Sequence, residues 1–218
     1  MQGRLWRTWR RIWRMRCLRE PYRTLLSVND GILVSIDCET TSLKVKEAEL
    51  LSVAAVYIDG NRLRARDAFH ALIKPQQAPN HQNVRVHGLR PCDFSEGSPL
   101  QETLRKLLQF IGGRTLLGYY LQYDLAVLNK FLKPMLGTAL PNYGIEVSGH
   151  YYDWRFADYP ESYIDLRWET MIKNLHIPMF PRHDAINDAI TAAMMYMTLQ
   201  SRGYGAHHRR SVLKKSDN

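Results

Sequence analysis

Cysteine is scarce in this chain, which contains only Cys17, Cys38 and Cys92, and no two of them form a Cys-x-x-Cys pair. Their number and spacing argue against a thiolate zinc site and against a disulfide framework. Long apolar runs are also missing: the best candidate, Leu50 to Ile58, has nine residues, whereas a membrane-spanning helix needs roughly 18. We therefore expect a cytoplasmic protein without a transmembrane segment.

The composition excludes disordered and fibrous proteins. Hydrophobic residues make up 45% of the 218 residues and charged residues 23%, which is the balance of an ordinary globular domain. A chain of this length buries roughly 70% of its unfolded surface, so its core needs neither disulfides nor a structural metal. We expect one domain with short additions.

The positive charge is concentrated at one end of the chain. The formal net charge is +9, and residues 1–26 contain eight arginines against a single acidic residue, Glu20. The rest of the chain is close to neutral, so its function must be inferred from motifs. The predicted division is a basic amphipathic helix at 1–26, a domain at 27–203 and a basic, flexible tail at 204–218.

The N-terminal segment has two helical faces of opposite character. Its arginines gather on one face, and the other carries Leu5, Trp6, Trp9, Ile12, Trp13 and Cys17. The tryptophans could pack on the domain with the arginines in solvent. Alternatively, the helix could bind an anionic membrane surface or a protein partner, or it could clamp nucleic acid.

Hydrophobic periodicity predicts an α/β domain. The apolar run at 32–36 reads as a buried strand, and strands at 50–58 and 63–73 are joined by a turn at 59–61. Later elements alternate: a helix at 98–111, a strand at 115–119, a helix from Asp124, a possible strand at 151–156, a possible helix at 163–175 and a helix at 184–203. We expect a mixed β-sheet, with three antiparallel strands first, flanked by helices.

Two acids end the first predicted strand. Asp37 and Glu39 are separated by Cys38, so the period of two places both carboxylates on one face. Like charges at the end of an apolar strand repel each other, and a divalent cation between them relieves the repulsion. An Asp-x-Glu pair alone is also consistent with a solvated strand end.

Three motifs occur in order along the chain. They are Asp-Cys-Glu-Thr-Thr at 37–41, Asp124 after a predicted strand, and His-Asp-Ala-Ile-Asn-Asp at 183–188. In combination they resemble the motifs of the DnaQ-like, DEDDh-type 3′→5′ exonucleases, a branch of the ribonuclease H-like superfamily. The resemblance runs from about Gly31 to Gly203.

The resemblance implies a site and its cofactors. The four metal-binding acids would be Asp37, Glu39, Asp124 and Asp188, with His183 as the catalytic histidine. Two divalent ions, Mg²⁺ or Mn²⁺, are implied, with no small-molecule cofactor beyond them. The chemistry fits these residue types: two ions neutralise the attacking and leaving oxygens, carboxylates suit hard cations, and an imidazole takes a proton from the attacking water near neutral pH.

Further residues are candidates for substrate binding. Thr40 and Thr41 could donate hydrogen bonds to the terminal sugar and phosphate, and His87 resembles a residue that borders the substrate groove. Aromatic rings stack on bases of any sequence, which makes candidates of Tyr119, Tyr120 and Tyr123. Family members commonly have Asn and Phe at the places held here by Tyr120 and Tyr123.

The resulting prediction is a metal-dependent 3′→5′ exonuclease that releases nucleoside 5′-monophosphates from single-stranded 3′ ends, with DNA favoured over RNA. The alternatives are an RNA 3′-end trimming enzyme, a proofreading subunit of a DNA polymerase and, from another class, a nucleic-acid-binding module without catalysis. The four acids argue against the module, because clustered negative charges repel phosphates.

Overall fold

The computed structural model describes residues 2–27, 30–75, 88–158, 160 and 162–203. The predicted substrate residue His87 and the predicted tail at 204–218 lie outside the described residues. The division of the chain into 1–26, 27–203 and 204–218 stays a prediction.

A five-stranded mixed sheet is the framework of the domain. Its strands are β1 (Leu33–Thr40), β2 (Leu50–Asp59), β3 (Arg62–Leu72), β4 (Thr115–Gly118) and β5 (Gly144–Glu146). They are ordered β3-β2-β1-β4-β5. β2 is antiparallel to both β1 and β3, whereas β4 is parallel to β1 and to β5. The predicted α/β class and the three antiparallel strands at the start are confirmed, and β1 lies in the centre.

The β2–β3 hairpin turns at the predicted place. Asp59 pairs with Arg62, so only Gly60 and Asn61 connect the strands. Gly60 has a φ of 56°, a conformation that glycine adopts without steric cost and that two-residue hairpins require. The local sequence therefore determines this turn.

Helices cover the sheet and extend beyond it. They are α1 (Gln2–Cys17), α2 (Tyr22–Leu25), α3 (Leu100–Ile111), α4 (Leu121–Leu136), α5 (Val147–Asp158), α6 (Trp168–Leu175) and α7 (Ala185–Ser201), with a 3₁₀ turn at Pro91–Phe94. The predicted strand at 151–156 is wrong, because this segment belongs to α5. Its aromatic residues favour strands individually, but Val147 and Tyr151 are buried four residues apart, which is helical spacing.

The apolar core has two parts, one on each face of the sheet. Because side chains alternate along a strand, Leu116 packs with α3 and α4, whereas the next residue, Leu117, packs with α6 and α7. The first part also includes Leu18 and Leu26, so the end of the N-terminal segment is part of the core. Among the described residues, no helix combines the length and apolar character that a membrane span requires.

Candidate active site

One face of β1 is directed at α7. Ser35, Asp37 and Glu39 alternate along the strand and therefore share a face. The buried Ser35 Oγ donates a hydrogen bond of 2.7 Å to the backbone oxygen of Ala189 in α7. This bond fixes the face that carries the two acids against the helix that carries Asp188.

Three of the predicted site residues form a compact group. Glu39, His183 and Asp188 each place a possible ligand atom within 4.8 Å of the other two. Glu39 and Asp188 are each only 8% exposed. Residues almost 150 positions apart in sequence therefore meet at the end of β1 and the start of α7.

Asp37 and Asp124 lie beside this group. Burial raises the pKa of Asp37 well above its usual range, and the negative charges of Asp124, Glu39 and Asp188 raise it further. Burial also raises the pKa of Asp124, although backbone N–H donors, including that of Cys38, oppose the effect. All four acids predicted from the motifs therefore act on one another electrostatically.

The pKa of Glu39, the second acid on β1, is raised for the same reasons. Burial, followed by the charges of Asp188 and Asp184, raises the pKa of Glu39 to about 7. Burial likewise raises the pKa of Asp188, against the opposing charge of Arg182. Buried carboxylates with so little compensating charge form a donor set that suits a hard divalent cation.

Arg182 is the nearby positive charge, and sequence reasoning missed it. Its Nε lies 3.8 Å from Asp188 Oδ2, and its Nη1 forms a 2.9 Å ion pair with Glu169 Oε1. The guanidinium stacks 4.7 Å from the centre of the Trp168 ring. The only signal in the sequence is its position directly before His183, because Trp168 and Glu169 are distant along the chain.

A tight turn before α7 orients His183. Its φ of 60° is in the left-handed region, and its backbone N–H donates to Asp188 Oδ2 at 3.2 Å. The next residue, Asp184, caps α7 by accepting a hydrogen bond from the N–H of Ile186. Strained non-glycine residues of this kind concentrate at functional sites.

The two threonines after the acid pair have different surroundings. The hydroxyls of Thr40 and Tyr123 are 2.6 Å apart and share a hydrogen bond, and Tyr123 also donates to the backbone oxygen of Ser42. The Thr41 hydroxyl accepts a 2.9 Å hydrogen bond from the N–H of Glu49. Thr41 therefore holds the turn between β1 and β2, whereas Thr40 and Tyr123 connect that turn to α4.

The predicted tyrosines differ in exposure. Tyr119 packs edge-on against Trp168, 4.9 Å between ring centres, and its hydroxyl donates to the backbone oxygen of Leu166. Tyr120 is 68% exposed and has a φ of 55°. Glu146, also missed by sequence reasoning, accepts hydrogen bonds from the N–H groups of Tyr120 and Leu121. Of the three predicted tyrosines, all of which the structure describes, only Tyr120 is therefore exposed.

A family model agrees with the arrangement of motifs. The model of the RNase_T family, described as exonuclease, matches residues 34–196. This range contains both ends of the site, from the acid pair on β1 to Asp188 on α7.

Curated relatives match part of their own length. DNA polymerase III subunit epsilon of Aquifex aeolicus is 26% identical over 113 residues, which cover 52% of this chain and 55% of that protein. RNA exonuclease 4 of Xenopus laevis is 27% identical over 97 residues, or 44% of this chain and 22% of that one. The chain thus spans about half of the first relative and less than a quarter of the second.

Solved structures share the fold. A crystal structure of E. coli exonuclease I in complex with a dA16 oligonucleotide superposes with a TM-score of 0.67 at 17% identity. The match covers 80% of this chain and 42% of that one. At this identity the likeness concerns the fold alone. Together with the family-model match over residues 34–196, it confirms the predicted DnaQ-like, ribonuclease H-like fold.

Proposed function

The chain belongs to the RNase_T exonuclease family, and on that premise we propose that it removes nucleoside 5′-monophosphates from single-stranded 3′ ends, with DNA preferred over RNA. The observation that carries this proposal is the meeting of Glu39, His183 and Asp188 within 4.8 Å, next to Asp37 and Asp124. No other arrangement of motif residues in the described part of the chain combines acids and an imidazole in this way.

The residues suit divalent cations. Two Mg²⁺ or Mn²⁺ ions would be held by the four acids, Asp37, Glu39, Asp124 and Asp188. The pKa values of these acids are raised because the carboxyl groups are buried close together without a cation. When bound, such ions neutralise negative charge on the attacking and leaving oxygens of the phosphodiester.

His183 is the proposed general base. An imidazole nitrogen accepts the proton of the attacking water, and the backbone bond from His183 to Asp188 keeps the ring beside the acids. The hydrogen bond between Thr40 and Tyr123 would hold the turn that borders the terminal nucleotide, and the exposed ring of Tyr120 would stack on an unpaired base.

Three similarities bear on the substrate. The similar A. aeolicus protein is a DNA polymerase subunit, and the similar E. coli structure contains a DNA oligonucleotide, which supports the proposal of DNA. The same A. aeolicus similarity makes a proofreading subunit the second candidate. The X. laevis similarity makes RNA trimming the third.

Digestion of labelled oligonucleotides tests the proposal. Matched single-stranded DNA and RNA oligomers, labelled at the 5′ end, are incubated with Mg²⁺, Mn²⁺ or EDTA. The expected result is a ladder of labelled products that shorten from the 3′ end with either metal, faster for DNA, and no products in EDTA. A duplicate set labelled at the 3′ end should release labelled mononucleotide at once.

Two variants make the test specific. Asp37→Asn removes one proposed metal ligand and should abolish the ladder. Asp67→Asn makes the same chemical change on the edge strand β3, where Asp67 pairs with Arg64 at 2.8 Å in solvent, and should digest normally. Equal activity of Asp37→Asn and the unmodified protein would contradict the proposed metal ligand. Preferential digestion of RNA would favour RNA 3′-end trimming as the function.

A further inference from the structure

The N-terminal helix contacts the domain through arginines. Arg14 Nη1 donates a 2.8 Å hydrogen bond to the backbone oxygen of Leu140, and the guanidinium of Arg11 lies 5.1 Å from the centre of the Tyr143 ring. Met15 also packs against the core. The alternative in which the tryptophans face the domain and the arginines face solvent is therefore wrong for the described part of α1.

The segment is fixed at the C-terminal end of α4. The backbone N–H of Arg19 donates to the oxygen of Leu136, and its Nη1 donates to the oxygen of Pro134, each at 2.9 Å. Carbonyl groups at the end of a helix lack partners within the helix and carry a partial negative charge, so arginine suits this position. Together with the burial of Leu18 and Leu26, these bonds hold α1 in one orientation.

This orientation exposes an apolar stripe. Trp9 is 67% exposed and Trp13 is 64% exposed, and Ile12 lies exposed between them. The spacing of three and four residues places the three side chains on one face of the helix. Large apolar side chains grouped on a surface mark an interaction site, and an indole combines an apolar body with a polar N–H suited to a membrane interface.

The charged residues of α1 are all basic. Arg10 and Arg16 are exposed next to it, and residues 2–17 contain no Asp or Glu. We propose that α1 binds the surface of an anionic lipid bilayer, with Trp9, Ile12 and Trp13 buried among the headgroups and the exposed arginines paired with lipid phosphates.

α1 is attached to the domain at a distance from the acids. Asp124 lies in the first turn of α4 and Leu136 at its last residue, so the two ends are separated by roughly 18 Å at the rise of an α-helix. α1 is fixed at the end distant from the acids. A molecule bound through α1 would therefore keep the acid site accessible from solution.

Vesicle co-sedimentation tests the proposal on the full chain. One set of vesicles contains phosphatidylcholine alone, and the other also contains phosphatidylglycerol. The unmodified protein should pellet only with the second set, and less at high salt. The double variant Trp9→Ser, Trp13→Ser should bind about tenfold less or weaker still, because binding scales with the apolar area inserted.

A matched control tests whether the loss of vesicle binding is specific to the tryptophans of α1 or follows from the loss of any exposed aromatic ring. Tyr163 is 92% exposed outside the helix, so Tyr163→Ser should pellet like the unmodified protein. The proposal is overturned if the unmodified protein stays in the supernatant with phosphatidylglycerol, or if the double tryptophan variant pellets equally well. It is also overturned if the tryptophan substitutions weaken binding to single-stranded DNA but not to vesicles. The same holds if the unmodified protein is a dimer that does not bind vesicles and the double variant is a monomer. None of these readouts depends on nuclease activity.

Discussion

The backbone N–H of His183 donates a hydrogen bond to Oδ2 of Asp188, 3.2 Å away. The histidine in the turn before α7 is therefore bound to an acid in the first turn of that helix. The carboxylate of Asp188 thereby restrains the main chain of His183, and it also lies within 4.8 Å of possible ligand atoms of Glu39 and His183. The positions of His183 and Asp188 are therefore coupled through a main-chain hydrogen bond, which a replacement of the His183 side chain leaves in place.

Replacing His183 should slow the reaction without removing the metal site. We choose His183→Asn, because asparagine tolerates a positive φ and its amide cannot act as a base. The rate under saturating Mg²⁺ should fall by about 10²–10⁴-fold, the usual contribution of a general base. The Mg²⁺ concentration for half-maximal rate should stay unchanged. His70→Ala, on the edge strand β3, is the control, and an unaltered rate and pH profile of His183→Asn would exclude the proposed role.

Removing the charge of Arg182 should have opposite effects on the metal-free and metal-bound protein. Arg182→Gln loses the interactions with Asp188, Glu169 and Trp168, so the melting temperature in EDTA should fall by a few degrees, corresponding to roughly 1–2 kcal/mol. Cations should then bind more tightly, because a competing positive charge is gone. The Mg²⁺-induced rise in melting temperature, measured as a titration, should begin at lower concentration.

The control for this variant is Arg155→Gln. Arg155 also lies over an indole, 5.7 Å from the centre of the Trp154 ring, so its replacement removes a comparable cation–π contact. It should leave the Mg²⁺ titration unchanged. A lower Mg²⁺ affinity in Arg182→Gln would mean that the guanidinium supports the cation site.

Ionisation of Glu39 should destabilise the metal-free protein. Its pKa rises from an ordinary value of 4.5 to about 7 on folding, so ionisation opposes folding. The destabilisation is absent below about pH 4.5, grows as the pH rises and is complete above about pH 7. In EDTA, Glu39→Gln should therefore unfold like the unmodified protein at low pH and be more stable by on the order of 3 kcal/mol at pH 8.

Denaturant unfolding at several pH values measures this difference. Subtracting the unfolding free energy of the unmodified protein from that of the variant removes the contributions of the titrating groups that do not interact with Glu39. Mg²⁺ should reverse the order of stability at pH 8, because only the unmodified protein retains all four ligands. A difference that does not vary with pH would contradict the raised pKa.

Removing the exposed ring of Tyr120 should weaken substrate binding more than turnover. Stacking on one base contributes roughly 1–3 kcal/mol, so Tyr120→Ala should raise KM by about 5- to 150-fold with a small change in kcat. Steady-state rates on a single-stranded oligomer measure both constants. Tyr152→Ala, another exposed aromatic, is the control. An unchanged KM would remove Tyr120 from the substrate path.

Local patterns predicted the part of the site that depends on alternation. The period of two placed Asp37 and Glu39 on one face of a strand, and the motif placed His183 and Asp188 at the start of a helix, as the structure has them. Arg182 and Glu146 were missed because no local pattern indicates their contacts with other elements, which are Trp168 and Glu169 for Arg182 and the N–H groups of Tyr120 and Leu121 for Glu146. Three-residue β5 was missed because so short a strand has no periodicity to detect.

The N-terminal segment shows a different limit. Amphipathicity predicted a helix with a tryptophan face and an arginine face, but not which face contacts the domain. Arginine stems are apolar, and their guanidinium groups can satisfy free carbonyls, so either face can pack. The outcome depended on the unpaired carbonyls at the end of α4, near Pro134 and Leu136.

The left-handed backbone at Tyr120 links thermal stability to substrate binding. Asparagine adopts a positive φ readily, whereas a bulky ring does so at a cost of about 1 kcal/mol or more. Tyr120→Asn should thus yield a protein that is more resistant to heat and binds single strands with lower affinity. In directed evolution, selection for thermal tolerance and selection for tight substrate capture would favour different residues at this one codon.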